Sequence, residues 1–366
     1  MARSTTTIPF HDLSFIDHIP AVREVEERLK KFLRRLRKER QDAAHEAGLI
    51  TEDDLKMSFE MLEEADRTCI RRRAVTYRDR LQASTGMSHL SEENRTSLTA
   101  LRGGLPVAKV ATEHEADEIA AALHAEMPWM GHATEEVWHG LRASARDGLA
   151  GVRFTPLVLN GPAGIGKSYW ARRLAHHLSV PTVKFDATNE PASFALTGSQ
   201  RGWGSAHAGK LTTTVLEHRH AGPLVIVDEI EKADEVYSNK GSRHTLTDAL
   251  LPLMERMTAK TWQCPFFQVK FDMSWVNWIM TANSRDGLPE PFQSRCVVLD
   301  LPDLTVAQLR DFAVAEATRR GLPEPAVAAL VDLFECGAIS NARLSLRTVA
   351  RMLDRAETLA SQPLLH

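Results

Sequence analysis

Cysteine is scarce: Cys69, Cys264, Cys296 and Cys336 are the only four in 366 residues, and none forms a C-x-x-C pair. That leaves no disulfide framework and no zinc site, so these read as reduced structural thiols. The 15 histidines include no H-E-x-x-H, and "TEHEADE" and "LAHHL" read as solvated helix faces. No apolar run has the length of a membrane span, and the polar opening "MARSTTTIPFHDLSF" lacks the apolar centre of a signal peptide. The expectations are no membrane partner and a cytoplasmic protein. A formal net charge of -3 gives no general attraction for nucleic acid. What remains, 43% hydrophobic and 25% charged, is ordinary globular composition, and the length allows two or three domains.

One stretch departs from that charge balance. In "VREVEERLKKFLRRLRKERQ", Val22, Val25, Leu29, Phe32, Leu33 and Leu36 form an apolar stripe, with Arg28, Lys30, Lys31, Arg34, Arg35, Arg37, Lys38 and Arg40 on the other faces. It reads as a docked amphipathic helix with a solvated basic face, with an acidic partner or nucleic acid as the alternative. Residues 1–105 read as a helical, charged amino-terminal region, with apolar spacing at Leu55, Phe59, Leu62 and Ala65 and a helix start at "SEEN". "RGGLP" at Arg102–Pro106 marks a linker. Residues 106–302 begin with two helical patterns and then alternate short apolar runs with helices, the pattern of an α/β domain with a parallel sheet. Residues 303–366 read as helices alone, a small lid domain. Pro252 inside "TLTDALLPLMERM" is expected to kink that helix or start a new turn.

The chemistry gathers between Pro156 and Arg295. In "PLVLNGPAGIGKSYWARRLA" an apolar strand, a glycine loop and a helical pattern follow one another, with the loop spaced G-x-x-x-x-G-K-S. Glycines let successive backbone N–H groups turn toward phosphate oxygens, and the helix that follows adds its positive dipole end. Lys167 would reach the outer phosphates and Ser168 would offer its hydroxyl to Mg²⁺. Gly161, Pro162, Ala163, Gly164, Ile165, Gly166, Lys167, Ser168 and Tyr169 are the expected ATP contacts. In "GPLVIVDEIEKA", Leu224 to Val227 read as a buried strand ending at Asp228, placed to support Mg²⁺, and Glu229, placed to polarise the attacking water. In "WVNWIMTANSRDGLPEPFQSRCVVLDLP", Asn283 ends another apolar strand and could hold the lytic water or the outer phosphate. Arg295, between a short helix and the next strand, is a candidate arginine finger for a neighbouring subunit.

From about Thr112 to Ala360 the sequence resembles the ATPase module of the Lon family within the AAA+ superfamily. "GPAGIGKS" is similar to its Walker A, "IVDEIEKA" to its Walker B, "FDMSWVNWIMTAN" to the strand leading to sensor 1, and "LPEPFQSRCVVLDLP" to its arginine-finger region. "EMPWMGHATEEVW" is similar to the segment before the nucleotide strand. "SLRTVARML" resembles the sensor 2 helix, which makes Arg347 the sensor 2 residue, with Arg343 the competing candidate. "LTGSQRGWGSAHAGKL" resembles the pore loop 1 segment, with Trp203 at the aromatic position.

The resemblance implies an AAA+ ATPase using ATP and Mg²⁺, assembled as a homo-oligomeric ring, a hexamer, that threads or remodels a protein client in the manner of a chaperone. Catalysis would rest on Glu229, Asn283 and Arg347 of one subunit and Arg295 of the next, with Ser168 and Asp228 at the metal. Lon proteases continue into a serine–lysine peptidase domain and this sequence does not, so proteolysis in cis is not expected, and a separate peptidase or effector partner is left open. Two readings stand beside this one. The first is a nucleic-acid-directed ATPase or defence-system component, the second a nucleotide-gated assembly scaffold.

Overall fold

The computed structural model describes residues 4–49, 62–188, 193–202, 206–233, 236–237, 243–335 and 345–361. Two compact units emerge: Asp12–Arg102, and Met1–His11 together with Gly103–His366. The first strand, β1 (Thr5–Ile8), therefore belongs with residues far along the chain rather than with the helices that follow it. This corrects the reading of residues 1–105 as helical. The Asp12–Arg102 unit contains α1 (Val22–Glu46), α2 (Glu64–Ser84) and α3 (Glu92–Thr99). Ser91 in "SEEN" caps α3, its hydroxyl accepting from the Asn94 N–H at 3.4 Å. Leu98, Leu101, Ile70 and Ala74 are buried, whereas of the α1 stripe only Val25 is fully buried and Phe32 is 52% exposed.

In the larger unit β2 (Leu105–Ala108) pairs antiparallel with β1, Thr6 opposite Val107. The segment expected as a linker is thus partly strand. It is bound further by the N–H of Val152 donating to Ala108 at 2.8 Å and that of Ala221 to Pro106 at 3.0 Å. Helices α4 (Glu113–Glu126) and α5 (Gly131–Arg146) match the two expected helical patterns, α4 beginning at a Thr112 hydroxyl cap. β3 (Leu157–Asn160) then leads through the glycine loop into α6 (Lys167–Leu178), followed by β4 (Thr182–Asp186), α7 (Ser193–Thr197), α8 (Lys210–His218) and β5 (Leu224–Asp228).

Two small pairs, β6 (Val236–Tyr237) with β7 (Arg243–His244) and β8 (Trp262–Gln263) with β9 (Lys270–Phe271), flank α9 (Leu246–Met254) and α10 (Arg256–Ala259). Pro252 does not stop α9 at once. The helix runs to Met254 and breaks at the extended Glu255, where the Thr258 hydroxyl donates to the carbonyls of Pro252 and Glu255 at 2.7 and 3.0 Å. β10 (Asn277–Ala282), α11 (Glu290–Gln293) and β11 (Val297–Asp300) complete this part.

The central sheet is parallel throughout, in the order β11-β3-β10-β5-β4. β10 is buried along its whole length and β3 and β5 nearly so, which is why these strands read as continuous apolar runs rather than alternating ones. Helices cover the sheet. Trp170, fully buried on α6, donates its indole N–H to Thr134 of α5 at 3.1 Å, which joins the loop-bearing helix to the layer beside it. The chain then forms three helices, α12 (Val306–Arg319), α13 (Glu324–Glu335) and α14 (Leu346–Ser361). Their core is built from Leu309, Ala313, Leu330, Phe334, Val349 and Leu353. Leu304 and Leu346 pack against both this core and that of the sheet domain, so the helical domain rests on the α/β domain through two apolar hinges.

Candidate nucleotide site at the sheet's carboxyl edge

Parallel strands direct their carboxyl ends to one side of the sheet, and here β3, β5 and β10 bring their last residues together. The glycine loop leaves β3 with Gly164 at φ +87° and Gly166 at φ +96°, backbone conformations that side chains rarely adopt. Space is closed as well. A Cβ on Gly164 would lie 2.6 Å from the Ser345 Cβ, and one on Gly166 2.6 Å from the Met127 Cε and 2.8 Å from the Leu346 Cδ1. Lys167 and Ser168 open α6, whose first turn has no side-chain cap.

Lys167 is buried, 7% exposed, and its ammonium turns back onto the loop. It donates to the carbonyls of Gly161 and of Pro162, the latter at 2.9 Å, and to Asn283 Oδ1 at 3.2 Å. Burial depresses its pKa, the charges of Glu231, Glu229 and Asp228 oppose that, and the nearby Arg347 guanidinium adds to it. The Ser168 hydroxyl donates to Asp228 Oδ1, which also accepts from Thr281 Oγ1 at 3.2 Å, while Lys184 lies 3.5 Å from the other oxygen.

Glu229 follows β5 in a left-handed conformation, φ 55°, unusual for a residue with a side chain. Its N–H is held by Thr281 Oγ1 at 3.2 Å. Its carboxylate accepts from Lys232 at 2.8 Å and from the Thr188 hydroxyl at 2.9 Å. Those bonds, Lys232 first, keep its pKa below the usual carboxylate range.

Asn283, one residue beyond β10, is fixed from both ends. Its carbonyl faces Lys167, and its backbone N–H and side-chain Nδ2 both donate to Glu231 Oε1, at 3.0 and 3.1 Å. Glu231 Oε2 is buried without a hydrogen-bond partner among the described residues. Thr188, Thr281 and Glu231 are thus site residues that sequence reasoning missed. Only the motif "DEIEK" hinted at Glu231, whereas Thr188 and Thr281 carry no sequence signal. Trp129 is another: its indole donates to the Ile165 carbonyl of the loop at 3.0 Å, and its ring meets Phe312 of α12 edge-on at 5.9 Å.

The remaining candidates divide. Arg347, in the first turn of α14, is close enough for its charge to act on Lys167, and the adjoining Leu346 N–H donates to the Gly164 carbonyl at 3.0 Å. Tyr169 is 44% exposed, with Arg172 5.8 Å over its ring. Arg295 does not join the cluster: Nη1 donates to the Pro291 carbonyl at 2.8 Å and Nη2 lies 3.7 Å from Glu255, both on its own chain. Arg285, in the same segment, pairs with Asp300. Trp203 and Arg343 lie outside the described residues.

The cluster suits a nucleoside triphosphate and a divalent cation. An uncapped helix start behind glycines that leave no room for a Cβ is a cradle for phosphate, and a hydroxyl beside a carboxylate is a hard oxygen donor set. A five-stranded parallel sheet carrying this loop, with a helical domain on its carboxyl side, is the α/β fold of an AAA+ ATPase module.

Comparison with known proteins agrees. Residues 157–301 match the model of the ATPase family associated with various cellular activities (AAA), so the chain carries an AAA domain. Over this region it is similar to Lon protease 1 of Bdellovibrio bacteriovorus, 27% identical over 168 residues, 46% of this chain and 21% of that protein. It is 29% identical over 160 residues to the mitochondrial Lon protease homolog of Rattus norvegicus, 44% of this chain and 16% of that one. To the Lon protease of Chlamydia trachomatis it is 25% identical over 191 residues, 52% and 23%. The matched region is thus about a fifth of these relatives' length, and it is their ATPase region. No helix among the described residues is long and apolar enough to cross a membrane.

Proposed function

We propose that this chain is an ATP-hydrolysing, ring-forming, Lon-like AAA+ motor that threads or remodels a protein client. The observation that carries the reading is the meeting of Lys167, Ser168, Asp228, Glu229 and Asn283 at one edge of the parallel sheet, linked by hydrogen bonds. The glycine loop and the start of α6 would bind the phosphates, Lys167 exchanging its loop carbonyls for the outer phosphate oxygens. Ser168 and Asp228 would hold Mg²⁺, which when bound offsets phosphate charge and orients the terminal phosphoryl group. Glu229, ionised and aimed by Thr188 and Lys232, would accept a hydrogen bond from the attacking water and take up its proton. Asn283 would steady that water or the outer phosphate, and Arg347 would bring a positive charge from α14.

Arg295 would act on the phosphates of a neighbouring subunit, and its lack of any tie to its own site supports a role in trans. A ring, a hexamer, would complete each site at a subunit boundary, so that turnover depends on assembly. Trp203, at the aromatic position of the pore-loop segment, would grip the client by apolar contact.

Two substitutions test the site. Lys167→Ala is expected to weaken binding of a fluorescent ATP analogue, because Lys167 touches ground-state phosphates. Glu229→Gln is expected to keep that binding and lower kcat by about 100-fold or more, the scale of a lost general base. Near-normal hydrolysis in Glu229→Gln would remove the assignment.

A further inference from the structure

The Asp12–Arg102 unit carries a groove that the ATPase chemistry leaves unused. Helices α1 and α2 run antiparallel: Arg37 late in α1 donates to Asp66 in the first turn of α2 at 2.7 Å, while Val25 and Leu29, early in α1, share a groove of about 670 Å³ with Tyr77, late in α2. Positions 25, 28, 29, 32 and 35 recur on one helix face, as do 73 and 77. The floor is apolar. Its two aromatics are open to solvent, Phe32 52% and Tyr77 46% exposed.

The charged lining is basic without exception among the described residues: Arg28, Lys31 and Arg35 on one side, Arg73 on the other. Arg35 is engaged, 3.5 Å from Glu39 and 5.6 Å over the Phe32 ring. Arg28, Lys31 and Arg73 are exposed and have no ion pair among the described residues. Phosphates are a poor match for this surface as a whole. Residues 12–102 hold 18 Lys and Arg against 18 Asp and Glu, so no net positive field draws a polyanion. A local basic rim over an apolar floor suits a short helix that is apolar on one face and acidic on its flanks.

We propose that this groove receives an acidic amphipathic helix of a partner protein. The face from Val25 to Arg35 spans about 15 Å at ~1.5 Å per residue, so roughly three turns of such a helix would seat on it. Two or three leucine-sized side chains would enter between Phe32 and Tyr77, and flanking carboxylates would pair with Arg28, Lys31 and Arg73.

The test uses the full chain and a labelled synthetic helix of about five turns, leucines at i, i+3, i+4 and i+7 with glutamates beside them, read by fluorescence anisotropy. A scrambled peptide, a peptide with lysine for each glutamate, and an oligothymidylate of similar length are run alongside. The acidic helix should bind, and the scrambled and lysine peptides should not. Phe32→Ala with Tyr77→Ala, and separately Arg28→Glu with Lys31→Glu, should each weaken binding about tenfold or more, the scale of a lost anchor or ion-pair set, while thermal unfolding and ATPase rate stay at parent values. No binding to the parent, or binding that both variants keep, overturns the proposal. So does tighter, salt-sensitive binding of oligothymidylate that Arg28→Glu with Lys31→Glu abolishes, which would assign the groove to nucleic acid. The sequence "TEDDLKMSFEMLEE" of this chain has the same chemistry. If the probe binds only after Glu52, Asp53 and Asp54 are changed to lysine, the groove belongs to that segment and the partner proposal fails.

Discussion

Glu231 shows how much one side chain can organise here. A single carboxylate oxygen takes both N–H donors of Asn283, which leaves the amide carbonyl facing Lys167, and the same carboxylate is the strongest opposing charge on that buried ammonium. Glu231→Met keeps the length of the side chain but removes the acceptor on which both Asn283 donors converge. If Asn283 steadies the attacking water as proposed, kcat is expected to fall by up to about 100-fold, the cost of misplacing a reacting group, while KM for ATP moves less. Equal changes in both, or none, would show Glu231 to be a bystander.

His220 offers a second test at this scale. Burial pushes its pKa down to about 4 from the usual 6.5, and its Nδ1 accepts the Gly222 N–H at 3.2 Å, so the folded protein holds a neutral imidazole. The folded-state value is depressed. The unfolded chain therefore binds the extra proton between about pH 6.5 and pH 4, and stability present above that window is lost as pH falls through it. His220→Gln should have a shallower decline in melting temperature from pH 7.5 to 5 than the parent; an equal decline would place the acid sensitivity elsewhere.

At the scale of elements, the glycine loop, α6 and the start of α14 behave as one assembly. The N–H of Leu346 bonds the Gly164 carbonyl, Ser345 sits where a Gly164 side chain would be, and Leu346 also packs against the cores on both sides. Gly166 is the tightest joint. Alanine there must adopt φ +96° and press on Met127 and Leu346, so Gly166→Ala is expected to cost about 1–3 kcal/mol, and to lower ATP affinity because the cradle must open to relieve the contact. Urea unfolding and nucleotide titration on the same sample check both effects. Unchanged stability would mean the lid end of α14 gives way freely.

At the scale of the whole molecule, the arginine proposed to complete catalysis makes its described contacts outside the nucleotide cluster. Arg295 is held by Pro291 and Glu255 of its own chain. If it acts across a subunit boundary, Arg295→Ala and Glu229→Gln proteins should each be inactive, and mixing them under conditions where subunits exchange should restore part of the hydrolysis, because some boundaries then hold both intact groups. No recovery despite mixed rings seen by mass, or normal turnover by an Arg295→Ala ring, would end the trans assignment and bring Arg285 forward.

The sequence by itself determined the parts that local chemistry dictates. Glycine spacing, uninterrupted apolar strands ended by Asp228, Glu229 and Asn283, and helical periodicity after Pro302 made the α/β fold, the strand–glycine loop–helix unit and the helices after Pro302 legible, because each depends on residues close together in the chain. It could not determine contacts between distant residues of unremarkable type. Thr188 lies 41 positions from Glu229, and Glu231 lies 52 from Asn283; both become site residues only because parallel pairing sets the ends of β4, β5 and β10 side by side. For the same reason "TTTI" at the start reads from sequence as part of a helical region. Only the tertiary structure gave β1 its partner, since a four-residue strand is defined by the β2 backbone that bonds it, about 100 residues away, and not by its own side chains.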